Sequence, residues 1–166
     1  METRVDFYVL AEGARLNRER LICRLAGRAY AHGKRVYVHT GTNEEAMRLD
    51  DLLWTLEDIG FLPHERAEDG PDPDTPILIG CGTEPPHAAT VLLTTAHPVP
   101  AFIERYERVL EVVDQDPERL KRSRQRYREY QARGLNPHKH DIPGGDITAV
   151  DIKMGGPVTG GHDSGF

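Results

Sequence analysis

At 166 residues, with 38% hydrophobic and 29% charged side chains, the chain has the size and composition of one soluble globular domain with a real core. A formal net charge of −6 argues against a generally cationic surface for duplex nucleic acid. The sequence has neither an apolar run of the about eighteen residues a membrane span needs nor a basic-then-apolar leader at METRVDFYVL, so a cytoplasmic location without membrane contact is expected.

The first apolar run, VDFYVL from Val5 to Leu10, reads as a strand. Leu21, Leu25 and Ala29, flanked by Ile22 and Ala26, then give helical spacing from about Asn17 to His32, with Gly33 as the stop. RVYVHT, Arg35 to Thr40, is a second strand. A second helix starts at TNEE, where Thr42 and Glu45 form a capping box, carries Met47, Leu49, Leu52, Leu53 and Leu56, and ends near Gly60. AEDGPDPDTP, Ala67 to Pro76, is a loop. PILIGC (Pro76–Cys81), ATVLLTT (Ala89–Thr95) and RVLEVV (Arg108–Val113) are further strands, nearly continuous in apolar residues, as strands covered on both faces are. A helix over Arg119–Arg133 completes an α/β domain with a largely parallel sheet flanked by helices. From Pro137 to Phe166 the character changes to seven Gly, three Pro and three His without apolar period, so 1–136 is expected to be the domain and 137–166 a disordered or peripheral tail.

Phosphate-cradling loops are the first chemistry to seek in such a fold, and the candidates fail. GRAYAHGKR (Gly27–Arg35) has five residues between its glycines where a phosphate loop has four, and it closes a helix instead of opening one. GCG at Gly80–Gly82 follows a strand but leads into TEPPH, with no helix start. HKHD (His138–Asp141) has metal-ligand types at a spacing that suggests adventitious binding only, and no cofactor or resident metal is expected. Cys23 and Cys81 lie in apolar segments and read as buried free thiols. His39, His64, His87 and His97 are scattered, and no Ser or Cys has a nucleophile motif around it, so no catalytic residue is assigned.

The strongest signal is the charge of the last helix. Residues 119–133 hold seven of 21 basic groups and one of 27 acids, which leaves 14 basic against 26 acidic groups elsewhere, a balance of −12. On helical spacing Leu120, Ser123, Tyr127 and Tyr130 form one stripe, with Arg124, Arg128 and Gln131 beside it. The helix is either a solvated surface element or a seam in which arginines hold carboxylates over an apolar floor. Trp54 and Phe61, with Leu62 and Pro63 adjacent, are either core or an exposed protein-binding patch.

Five segments in this order, DFYVL, GKRVYV, RLDDLLW followed by FLPHE, VLEVVD and RYREYQARGLN, resemble the chi subunit family of bacterial DNA polymerase III over about Val5 to Asn136. The resemblance implies a non-enzymatic adaptor in the clamp-loader assembly, with a Rossmann-like fold that has lost its nucleotide site. It implies two partners: the psi subunit, contacted by Trp54, Phe61 and Leu62, and the acidic C-terminal tail of single-stranded DNA-binding protein, contacted by Arg124, Tyr127, Arg128 and Lys121. Contact with DNA is then indirect. The alternative is a module that binds single-stranded nucleic acid directly through the basic helix 119–133. The ending HDSGF resembles the acidic, Phe-terminated tail of that partner, so Phe166 is either a ligand for the chain's own basic pocket or the end of an unconstrained extension.

Overall fold

The computed structural model describes residues 3–13, 17–55, 61–70, 72, 74–82 and 89–142. Strand β1 (Arg4–Leu10) leads through helix α1 (Arg18–Ala31) to β2 (Val36–Thr40), and through α2 (Asn43–Thr55) to β3 (His64–Arg66). Strands β4 (Ile77–Cys81), β5 (Val91–Thr94) and β6 (Arg108–Val113) follow, then α3 (Pro117–Ala132) and β7 (His138–Ile142). They form one sheet in the order β3-β4-β2-β5-β6-β1-β7, and every pairing is parallel.

Each helix starts where its sequence supplies a side-chain acceptor for otherwise unpaired amides. Asn17 Oδ1 accepts from Arg20 N–H at 2.8 Å, Thr42 Oγ1 from Glu45 N–H at 3.1 Å, and Asp116 Oδ2 from Arg119 N–H at 3.0 Å. The Glu45 half of the expected capping box is diverted: its carboxylate takes Arg18 Nη1 at 2.8 Å and the Thr95 hydroxyl. Gly33, at φ 74°, ends α1 in the left-handed conformation that other side chains resist. Gly80 lies inside β4, where a Cβ would stand 2.7 Å from Tyr37 Oη and 2.9 Å from Ala67 Cβ, so only glycine lets these groups approach.

Two apolar layers follow from strand alternation. Tyr8, Leu10, Leu110 and Val112 face α1 and α2, together with Leu21, Leu25, Leu49 and Leu53. Val5, Phe7, Val9, Val109 and Val113 face the opposite way, onto Ile103, Tyr127 and Tyr130. Helix α3 therefore lies on one side of the sheet and α1 and α2 on the other.

The structure departs from the sequence reading at its margins. The residues at the start of the expected tail are folded: His138–Ile142 pairs in parallel with β1, Asp6 opposite His138 and Leu10 opposite Ile142. Thus HKHD, read as loop, is an edge strand, while 143–166, Phe166 among them, lie outside the described residues, as do 56–60, where the second helix was expected to end. Cys23 is buried, and burial pushes its thiol up to about 12. Cys81, expected buried, is exposed at the carboxyl end of β4, where the strand leaves the core.

Each face of the sheet also buries one carboxylate. On the α3 face Glu111 accepts from Arg126 Nε at 2.8 Å and from Tyr130 Oη at 2.7 Å. On the other face Asp6 accepts from Arg108 Nε at 2.8 Å, Arg4 Nε at 3.2 Å and His140 Nε2 at 2.8 Å. Burial pushes the Asp6 carboxyl up, but His140, Arg108 and Arg4 outweigh it, and the net shift is below the ordinary value of 3.8.

Two outcomes follow. Arg126→Ala leaves Glu111 buried without its cation and is expected to cost about 3–5 kcal/mol in urea denaturation, whereas a paired Arg126→Met, Glu111→Leu exchange recovers most of that loss. Because folding holds Asp6 ionised to lower pH than the unfolded chain does, its contribution is complete above 3.8 and is lost as pH falls through the lower folded value. Stability measured from about pH 6 to about pH 3 should fall less steeply in Asp6→Asn than in the native chain.

Candidate functional site

Helix α3 is rotated about its axis so that Ser123, Arg126, Tyr127 and Tyr130 are buried and Leu120 is half-buried. The Tyr127 ring lies 5.1 Å and the Tyr130 ring 5.7 Å from that of Phe7. Tyr127 Oη donates to the Pro137 carbonyl at 3.3 Å, tying the helix to the segment entering β7. At 3.6 residues per turn, the remaining residues divide into two rims. Lys121, Arg124, Arg128 and Gln131 are exposed along one, and Arg119 and Arg122 are exposed along the other. Of the residues assigned from sequence to tail binding, Lys121, Arg124 and Arg128 thus share a rim. Tyr127, 3% exposed, lies beneath them as support.

The second assigned surface sits on the opposite side of the sheet. Trp54, in the last turn of α2, is 59% exposed and Phe61 is 73% exposed, with their ring centroids 6.0 Å apart. The core alternative weighed for these two aromatics is excluded. Leu62, grouped with them from sequence, is only 4% exposed and belongs to the apolar layer under α1, in contact range of Gly27. Trp54 is backed by the His64 ring at 4.4 Å. That imidazole is fixed in turn by Nδ1–H, which donates to the Leu62 carbonyl at 2.6 Å, while Nε2 lies 3.3 Å from Asp50 Oδ1 without a hydrogen bond. The aromatic pair is therefore presented on a held base.

A third feature has no counterpart in the sequence reading. At the carboxyl edge of the sheet, where β2, β5 and β6 end and α2 and α3 begin, a crevice of about 310 Å³ opens. Arg18 and Glu45 line one side as an ion pair, and Arg119, Arg122, Ser123 and Arg126 line the other from α3. Between them lie Thr95 and His97. Burial, and then the nearby charges of Arg126 and Arg122, lower the His97 imidazole, so it is neutral near pH 7.

Sequence reasoning missed the buried partners Asp6, Arg108, Glu111, Arg126 and His140. The signal was present: VDFYVL and RVLEVV each set one acid in a run apolar enough to be covered on both faces, and such an acid requires a buried cation. What the sequence did not carry is which cation.

A family model described as "DNA polymerase III chi subunit, HolC" matches residues 1–138. The DNA polymerase III subunit chi of Pseudomonas aeruginosa is 32% identical over 141 residues, 85% of this chain and 98% of that protein. Proteins of the same description from Haemophilus influenzae and Escherichia coli are 26% identical over 137 residues and 27% identical over 119 residues. These alignments cover 82% and 71% of this chain, and 95% and 81% of the respective relatives.

The aromatic patch yields a stability contrast. Trp54→Ala and Phe61→Ala should each change the unfolding free energy by less than about 1 kcal/mol. Leu62→Ala, which empties part of the core, should cost about 2–4 kcal/mol. Chemical denaturation of the three variants measures this, and an equally mild Leu62 variant would contradict its placement.

Proposed function

Because the chain belongs to the DNA polymerase III chi subunit family, we propose that it is a non-catalytic accessory subunit of the replicative polymerase holoenzyme. In this reading it joins the clamp loader, through psi, to the acidic C-terminal tail of single-stranded DNA-binding protein. The observation that carries it is the exposed rim of Lys121, Arg124 and Arg128 above the buried Tyr127, on a chain that is otherwise acidic.

The rim suits a short acidic peptide on physical grounds. Guanidinium groups offer paired donors to carboxylates. The half-buried Leu120 beside the rim supplies apolar surface for a terminal aromatic ring. A long polyanion would meet the −12 balance carried outside residues 119–133, whereas a peptide of a few residues samples only the local field. Contact with DNA is therefore assigned to the partner.

Trp54 and Phe61 are assigned to psi, with Leu62 holding the segment beneath them. Two exposed aromatics in contact form the kind of anchor on which protein interfaces concentrate their binding energy. They project from the α1 and α2 side of the sheet while the basic rim belongs to the α3 side, so both partners can be bound at once. An adaptor requires this.

Calorimetric titration with an acidic peptide ending in Phe tests the tail assignment. Arg128→Ala should weaken binding by about 1–3 kcal/mol, and added salt should weaken it further. A chain that ignores the peptide but retains single-stranded DNA with a steep salt slope would instead be a direct nucleic-acid-binding module. Trp54→Ala should abolish capture of psi and leave the peptide affinity unchanged.

A further inference from the structure

We propose that the crevice at the carboxyl edge of the sheet is a binding site for a small phosphate-bearing ligand. It shares no residue with the faces assigned to psi or to the acidic tail, and it does not rest on either assignment.

Its inventory of donors and acceptors is lopsided. Arg126 Nη1 lies 3.1 Å from His97 Nδ1. A guanidinium can only donate, so Nδ1 is the acceptor and the proton of the neutral ring resides on Nε2. His97 is exposed and thus presents an N–H. Ser123 Oγ accepts from Arg126 Nη2 at 3.2 Å, and among the described residues its own proton meets no acceptor. Arg122 is exposed beside them and, among the described residues, has no ion-pair or hydrogen-bond partner.

The neighbouring charges are already matched. Arg18 is paired with Glu45, Arg119 with Asp114 at 2.6 Å, and Arg126 with Glu111. Among the described residues Glu45 is the one carboxylate lining the crevice, and Arg18 and the Thr95 hydroxyl occupy it. What remains is one positive charge and several N–H and O–H donors, so the complement is an anion rich in acceptors. The amino ends of α2 and α3, which open at Thr42 and Asp116 beside the crevice, add to the same potential.

Position and size agree. Open parallel sheets bind ligands in the crevice outside the carboxyl ends of their strands, and about 310 Å³ admits a phosphate with a small organic group attached. The glycine loops tested in the sequence fail as phosphate cradles, and here side chains take the place of loop amides.

The test is titration of the full chain, at constant ionic strength, with inorganic phosphate, with adenosine 5′-monophosphate and with adenosine, followed by amide chemical shifts. Saturable shifts at Thr95, His97 and Ser123 with the two phosphates but not with adenosine are expected. Arg122→Gln should weaken them by roughly tenfold, and Lys34→Gln, which removes an equal charge at the end of α1, should not. A monophosphate that binds about tenfold tighter than inorganic phosphate identifies a nucleotide, and equal affinities identify the free anion. No saturable shift below about 10 mM, equal loss in the two variants, or equal binding of adenosine would overturn the proposal. Because Arg128 and Trp54 play no part, failure here leaves the adaptor reading untouched.

Discussion

The arrangement of the charged surface depends on one buried carboxylate. Glu111 lies in the middle of β6, a strand buried at every position, with its side chain on the α3 face. An acid there demands a cation and a second donor, and α3 provides both from one side, Arg126 and, four residues on, Tyr130. Satisfying Glu111 sets the rotation of α3. Once Arg126 points inward, its neighbours have no choice of direction: Lys121, Arg124 and Arg128 fall to one rim and Arg119 and Arg122 to the other. A single basic segment thereby becomes two separate surfaces, one open to solvent and one closing a crevice.

Asp6 plays a comparable part on the opposite face with a different balance. Three cationic or proton-donating groups surround it, and its carboxyl is held below the ordinary value. Glu111 has one cation and one phenol, and there burial dominates and pushes its carboxyl up. The difference has a structural use. His140, one of the Asp6 partners, belongs to β7 and stacks on Tyr8 at 4.8 Å, so a polar edge strand with one buried apolar residue, Ile142, is secured by a histidine hydrogen-bonded to a buried carboxylate. The Tyr127 hydroxyl on the Pro137 carbonyl holds the same segment from the α3 side.

How much of this was legible depended on whether the signal was periodic or relational. The five apolar strands, the first and last helices, the start of the second and the buried stripe of α3 are patterned in the sequence, and the structure has them within one or two residues of their expected limits, while the expected end of the second helix lies outside the described residues. Strands β3 and β7 are short, polar and at the two edges of the sheet. Their sequences, HER and HKHDI, carry no apolar alternation because only one neighbour and one end of each is covered. Exposure of Trp54 and Phe61 was likewise undecidable from composition, since large aromatics are core residues and interface residues alike. The crevice was invisible for a stronger reason. Arg18, Glu45, His97 and Arg122 come from four separate segments, and only the crossovers of a parallel sheet bring them together.

The acidic balance of the chain then has a consistent physical role. Parallel topology gathers helix amino termini along the carboxyl edge, where their partial positive charges add. Glu45 and Asp114 stand at that edge paired with Arg18 and Arg119, and Asp116 caps the first turn of α3, so the acids offset part of the charge there. Screening in salt confines what survives to about 8–10 Å, so each rim of α3 acts on the groups directly before it and the edge does not become a broad positive field. Acidic residues around a basic helix thus replace one broad positive field with local ones, each set by the side chains of a single rim.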